Sequence, residues 1–351
     1  MGMIKLPKRS VDFFKDHIDE IFESGILAEG PWNKRLSEYI MKMTGAVKSV
    51  PTNSNGAGII ALLLIYRHYF SRDHVMIQSN TMCGVRTMVP SSGCNLAGFI
   101  PCQLQTLMPG IMDVKKAIKK FSAEEKKRMI ILLSHIGGII NPDIEQIADL
   151  CKEEKIVLIE DCAHSFGATL KGRHSGLFGE AGVYSFYSTK AIPAGEGGMI
   201  VTKDEETGSL CSDFSIYDRF KQKMEIGFNN RISEPQALLA YSVVREWETI
   251  LKNKQEIAKK YIPTCNHLGI KFISQDGPDR TGNYYKFTIY NEEKKISEYL
   301  PLLKTKTSPV YDYAIGVPNP LANYHACLPI WFGQEESVTD RVISELQSCF
   351  R

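Results

Sequence analysis

Apolar residues recur along this chain with two different periods. From about Val11 to Ser24, Phe13, Phe14, Ile18, Ile21 and Phe22 fall on one stripe at helical spacing. Glycine and proline break the pattern between Gly25 and Pro31, and a second helix then carries Leu36, Tyr39, Ile40 and Met43. Beyond it, short apolar runs alternate with longer amphipathic stretches. Strands are predicted near 47–50, 75–78, 96–99, 129–134, 156–159, 182–187 and 199–202, with helices such as 58–69 and 144–154 between the earlier ones. This alternation implies an α/β layer around a mostly parallel sheet. One long helical stretch over 234–261 then bridges to a second unit, with a strand at 284–290, a helix near 296–303 and a last helix at 337–349. The expected division is a large domain over 1–250 and a small C-terminal domain over 251–351.

Composition narrows the class. At 351 residues, 43% hydrophobic and 23% charged, the chain can bury a substantial core. A formal charge of +2 gives no strong pull toward nucleic acid or anionic membrane. The lysine-rich runs at 115–120 and 126–128 read as solvated helix faces. Nine cysteines stand singly, without a C-x-x-C pair, as expected of reduced thiols. No apolar stretch approaches a membrane span, and the first residues lack a signal-like apolar region. The expectation is a cytoplasmic protein, with no metal.

The densest chemistry lies between Ile156 and Thr202. An apolar strand ends in Glu160-Asp161-Cys162-Ala163-His164; Tyr184 to Lys190 and Gly195-Glu196-Gly197-Gly198 follow. An acid at a strand end and a lysine in a small-residue turn suit pyridoxal 5'-phosphate. Asp161 would keep its ring nitrogen protonated, and the Lys190 amine would hold its aldehyde as a Schiff base. The glycines allow the close backbone approach such a turn requires. Small residues from Thr52 to Gly58, including Asn55 and Gly56, open a helix whose free amides suit a phosphate, and Ser185 could add a hydroxyl. His164 could bond the cofactor's phenolic oxygen, and His135, just past another predicted strand end, should face the same cleft. No G-x-G-x-x-G follows the first strand, which argues against a nicotinamide-dependent oxidoreductase.

The segments 160–168, 184–190, 195–202 and 227–234 together resemble the DegT/DnrJ/EryC1/StrS family of nucleotide-sugar aminotransferases, most specifically over residues 25–245. The resemblance implies the aspartate aminotransferase fold (fold type I) and a large domain with a mostly parallel sheet plus a small α+β domain. It implies that Asp161 binds the pyridine nitrogen, His164 the phenolic oxygen, and Lys190 forms the internal aldimine. Ser185 and the backbone at Asn55 and Gly56 would hold the phosphate, joined by Asn229 across a homodimer interface. L-glutamate would aminate the cofactor to pyridoxamine 5'-phosphate, which then aminates a keto group of a nucleotide-linked deoxy sugar. The glycine run resembles that of enzymes acting at C4. Met82 stands where the family usually places an aromatic ring on the cofactor. That departure, with segments near 203–227 and 311–322 that look short, keeps open a cofactor-binding regulatory or partner subunit without transaminase activity. A dehydratase branch of the family replaces the lysine with histidine, and Lys190 argues against it.

Overall fold

The structure, a computed structural model, describes residues 4–221, 223–293, 295–296, 307, 310–311 and 320–350. The chain begins with α1 (Lys8–Ser24), α2 (Pro31–Thr44), β1 (Lys48–Thr52) and α3 (Asn55–Phe70). It continues through β2 (His74–Gln78), α4 (Cys83–Ser91), β3 (Asn95–Ile100), α5 (Ile111–Ile118), α6 (Ala123–Lys126), β4 (Met129–Ser134) and α7 (Ile144–Glu153). Next come β5 (Val157–Asp161), the short strands β6 (Thr169–Leu170) and β7 (Arg173–His174), then β8 (Ala181–Ser185) and β9 (Gly198–Thr202). The remainder is α8 (Glu205–Ser215), α9 (Glu234–Val244), α10 (Trp247–His267), β10 (Lys271–Phe272), β11 (Arg280–Thr281), β12 (Phe287–Tyr290), β13 (His325–Leu328) and α11 (Glu336–Cys349).

Seven strands form the main sheet in the order β1-β9-β8-β5-β4-β2-β3. β9 alone runs against its neighbours β1 and β8; the other pairings are parallel. Every residue of β4, β5, β8 and β9 is buried, because helices cover both faces and leave no solvent side. On one face Ile59, Leu62 and Leu63 of α3 pack with Ile130, Leu132 and Val183. On the other, Ile144 and Ile147 of α7 pack with Ile131, Leu133 and Leu158. Burying such aliphatic side chains contributes about 1.5–3 kcal/mol each, which holds the helices against both faces of the sheet. A smaller unit, β10-β12-β13 with α11 and the second half of α10, closes around Ile257, Tyr261, Phe287, Ile289 and Leu346.

The single helix expected over 234–261 is two. α9 stops at Arg245 and α10 restarts at Trp247. The break turns the Trp247 indole inward against Phe166, with ring centroids 5.5 Å apart, over Gly167, where any Cβ would collide with it. Arg245 meanwhile lies over the Phe13 ring of α1 at 4.2 Å. The helix expected near 296–303 falls outside the described residues apart from Ile296.

Candidate active site

Parallel strands bring their carboxyl ends to one edge of the sheet, where loops and helix starts converge. Register places Ser134 opposite Asp161, and Ser185 and Thr52 both opposite Gly198. The Asp161 carboxylate is buried and held by neutral donors. Oδ1 accepts from Asn55 Nδ2 and from the Ala163 amide, each at 3.1 Å, and Oδ2 accepts from Ser134 Oγ at 3.0 Å. Neutral partners fix its orientation and leave its charge available to a cationic N–H.

Lys190 ends a tight turn whose amide donates to the Tyr187 carbonyl at 2.8 Å. Gly195 and Gly197 close that turn at φ of 84° and 137°, conformations that a side chain would strain. The lysine Nζ lies 5.0 Å from the centroid of the Tyr285 ring. Burial alone would raise the Tyr285 phenol, but the Lys190 and Lys286 charges and hydrogen bonds with Thr189 and Lys190 outweigh it and hold it below its ordinary value. Tyr285 in turn packs on His164 with centroids 4.3 Å apart. The Tyr311 ring stacks on the same histidine at 5.5 Å, its hydroxyl 2.8 Å from Nε2. Burial, followed by the Lys190 and Lys286 charges, pushes the His164 imidazole well below its usual range, so it is neutral. Its Nδ1 is buried without a hydrogen-bond partner. A chain of contacts therefore runs from Lys190 through Tyr285 and His164 to the loop that Asp161 opens.

Beside these groups lies a backbone cup. Ser54 caps α3, its Oγ accepting from the Ala57 amide at 3.1 Å, and the first amides of any helix lack an intrahelical acceptor. Gly198 presses against this start: an added Cβ would stand 2.6 Å from the Ser54 carbonyl carbon and 2.7 Å from the Asn55 nitrogen. Ser185 is buried at the adjoining strand end. Met82 immediately precedes α4 with 38% of its surface exposed. Asn229 is exposed, next to a Phe228 that is 54% exposed.

Of the residues singled out from sequence, Asn55 bonds Asp161 directly, His164 follows Asp161 in the same loop and meets Lys190 through Tyr285, and one reading, that of His135, changes. The Asn55 side chain is engaged with Asp161 and with the Val183 carbonyl at 2.8 Å, leaving only its backbone to the cup. His135 does not face the cleft. Its ring is fully buried, Nε2 donating to Glu160 at 2.8 Å while Nδ1 accepts from the Asn141 amide at 3.1 Å. Although Cys162 lies close to this pair, the Glu160 carboxylate also accepts from the amides of Gly176, Phe178 and Gly179, which makes it a structural hub. Ser134, Tyr285 and Tyr311 were not foreseen. The last two come from the far end of the chain, where Tyr284-Tyr285-Lys286 reads as an ordinary strand start.

The model of the DegT/DnrJ/EryC1/StrS aminotransferase family matches residues 9–343. The chain belongs to that family. It is 25% identical over 313 residues to the GDP-perosamine synthase of Escherichia coli O157:H7, covering 85% of this chain and 81% of that protein. It is 29% identical over 253 residues to the GDP-perosamine synthase of Vibrio cholerae, covering 70% and 66%. Among solved structures, a DegT/DnrJ/EryC1/StrS aminotransferase from Brucella abortus superposes with a TM-score of 0.88 at 18% identity, over 100% of this chain and 99% of that one. Helicobacter pylori PseC, an aminotransferase of pseudaminic acid biosynthesis, gives 0.83 at 19% identity, over 99% and 97%. The fold is that of the pyridoxal phosphate-dependent sugar aminotransferases, as the sequence led one to expect.

The residues present fit that cofactor. The orphaned His164 Nδ1 suits a phenolic oxygen, and the Asp161 carboxylate, held only by neutral donors, suits a protonated ring nitrogen. The first amides of α3, at Asn55 and Gly56 beside the buried Ser185, suit a phosphate. Among the described residues, no helix is long and apolar enough to cross a membrane.

Proposed function

We propose that this family member transfers an amino group, from L-glutamate, to a keto group of a nucleotide-linked deoxy sugar, at C4. Bound pyridoxal phosphate supplies an aldehyde that condenses with amines and a ring that delocalises carbanion charge. Asp161, fixed by Asn55, Ser134 and the Ala163 amide, keeps the ring nitrogen protonated. His164 meets the phenolic oxygen through Nδ1. Ser185 and the start of α3 at Asn55 and Gly56 would receive the phosphate, and Met82 would pack beside the ring. Lys190 would hold the cofactor at rest and, once released, its amine would move a proton at the substrate carbon as general acid and base.

The observation that carries this reading is the contact chain joining Lys190 to the Asp161 loop through Tyr285 and His164. Exposed Asn229, Phe228 and, nearby in the chain, Phe220 at 81% and Tyr217 at 52% support a homodimer in which Asn229 of one copy completes the phosphate site of the other. A cytoplasmic location accords with singly placed, unpaired cysteines. Lys190→Ala tests the reading. The visible absorbance of the lysine-bound cofactor and all turnover with a panel of keto-sugar nucleotides should vanish together. Turnover that persists in that variant, or a wild-type protein that never forms the band, overturns it.

A further inference from the structure

Lys254, on α10, is buried to 6% exposure in a region without a counter-charge. No acid bears on it: burial, then the neighbouring Lys286 ammonium, hold it down to about 8. Among the described residues neither lysine makes an ion pair. The cations gather on one ring. Lys190 Nζ lies 5.0 Å and Lys286 Nζ 5.3 Å from the centroid of Tyr285. Lys254, Lys190, Thr189 and Tyr285 line one half-enclosed cavity of about 60 Å³, walled by Ile250 and Trp331. Like charges brought together and desolvated repel one another, so such a cluster is stabilised by an anion.

Size limits which anion. A water needs about 10–15 Å³ of such space, so the cavity accommodates a carboxylate on a short methylene stem and excludes a sugar ring or a nucleotide. Its position limits the source. Lys190 is itself one of the cavity's lining residues, and an incoming amino donor must exchange with its amine. Resting on the amino-transfer reading, we propose that Lys254, with Lys286 reinforcing it, binds a carboxylate of a dicarboxylic amino donor and of the keto acid it becomes. Lys254 is a binding residue for the donor half of the reaction, Lys286 adds positive potential from beyond the cavity lining, and the sugar half is left untouched.

Calorimetric titration of the cofactor-loaded protein with glutarate, an unreactive dicarboxylate, tests this directly. Lys254→Met removes the charge at nearly constant shape, and Lys254→Arg restores a cation. Glutarate binding should weaken at least tenfold in Lys254→Met and recover in Lys254→Arg, with Lys286→Met giving a smaller loss. The KM for L-glutamate should rise by a similar factor while the KM for the sugar nucleotide stays put. Unchanged glutarate affinity in Lys254→Met and Lys286→Met overturns the assignment, as does displacement of glutarate by a nucleoside diphosphate. A wild-type protein lacking the cofactor's visible band would instead sink the amino-transfer reading, so the two failures are told apart. Should Lys254→Met not fold, Lys254→Arg and Lys286→Met carry the same comparison.

Discussion

Gly198→Ala asks whether the cup at the start of α3 holds the cofactor's phosphate. The new Cβ would sit 2.6 Å from the Ser54 carbonyl carbon and 2.7 Å from the Asn55 nitrogen, where ordinary contact begins at 3.4 Å. Both neighbours are backbone, so the helix start must retreat by about 0.8 Å, and overpacking of this kind costs about 1–3 kcal/mol. Gly172→Ala, in the turn between β6 and β7, is the matched control. Its φ of 74° makes alanine cost about 1–2 kcal/mol, yet nothing lies within 4 Å of its Cβ and α3 stays in place. The two variants should therefore lose comparable stability in urea. Only Gly198→Ala should lose cofactor affinity: one charge-assisted hydrogen bond is worth about 1.5–3 kcal/mol, or roughly tenfold and more. Titration of cofactor into the stripped proteins, followed by its visible band, reads the difference. Equal affinity in Gly198→Ala and wild type, or equal losses in the two variants, refutes the placement of the phosphate.

Three further outcomes follow from groups already described or packed nearby. His325 is fully buried, its Nε2 accepting from the Val310 amide at 2.8 Å and its Nδ1 donating to the Leu321 carbonyl at 2.6 Å; burial pushes it down to about 4. The unfolded chain takes up this proton near 6.5, so the stabilisation is complete above that pH and falls by about 3 kcal/mol as pH drops from 6.5 toward 4. Urea midpoints across that window should slope less in His325→Gln; parallel slopes would contradict it. Ser134→Ala removes one of the three donors holding Asp161 and should weaken cofactor binding about tenfold with the fold intact, read by the same absorbance titration. Glu234, buried at the start of α9, accepts from the amides of Gly30, Trp32 and Asn33. Glu234→Ala should cost about 3 kcal/mol or more by stranding those donors, and a thermal midpoint within a degree of wild type would disprove that.

Legibility in the sequence followed range of interaction. β4 and β5 could be read because an all-apolar run needs only its own residues to announce burial, and the 160–202 stretch because its acid, histidine, glycines and lysine are crowded into one segment. The break at Arg245 could not, since it depends on Trp247 finding Gly167 and on Arg245 finding Phe13, contacts invisible to helical spacing. His135 was misread for a related reason. A strand end places a residue at the right edge, but Glu160 on the neighbouring strand decides which way the ring turns. Tyr285 and Lys254 sit far along the chain in unremarkable contexts, and only the return of α10 and of the segment before β12 to the sheet edge brings them to Lys190.

Glu160 and Asp161 are consecutive on β5, so they address opposite sides of the sheet. One is tied to His135 and to three amides of the 176–179 loop; the other serves the cleft. Sliding β5 by one position would swap these two acids, tearing four bonds from the first while presenting the wrong side chain to the ring nitrogen. The neighbour thus acts as an alignment pin. Variants that loosen it should lose catalytic fidelity before they lose their shape, even though it never touches anything that reacts.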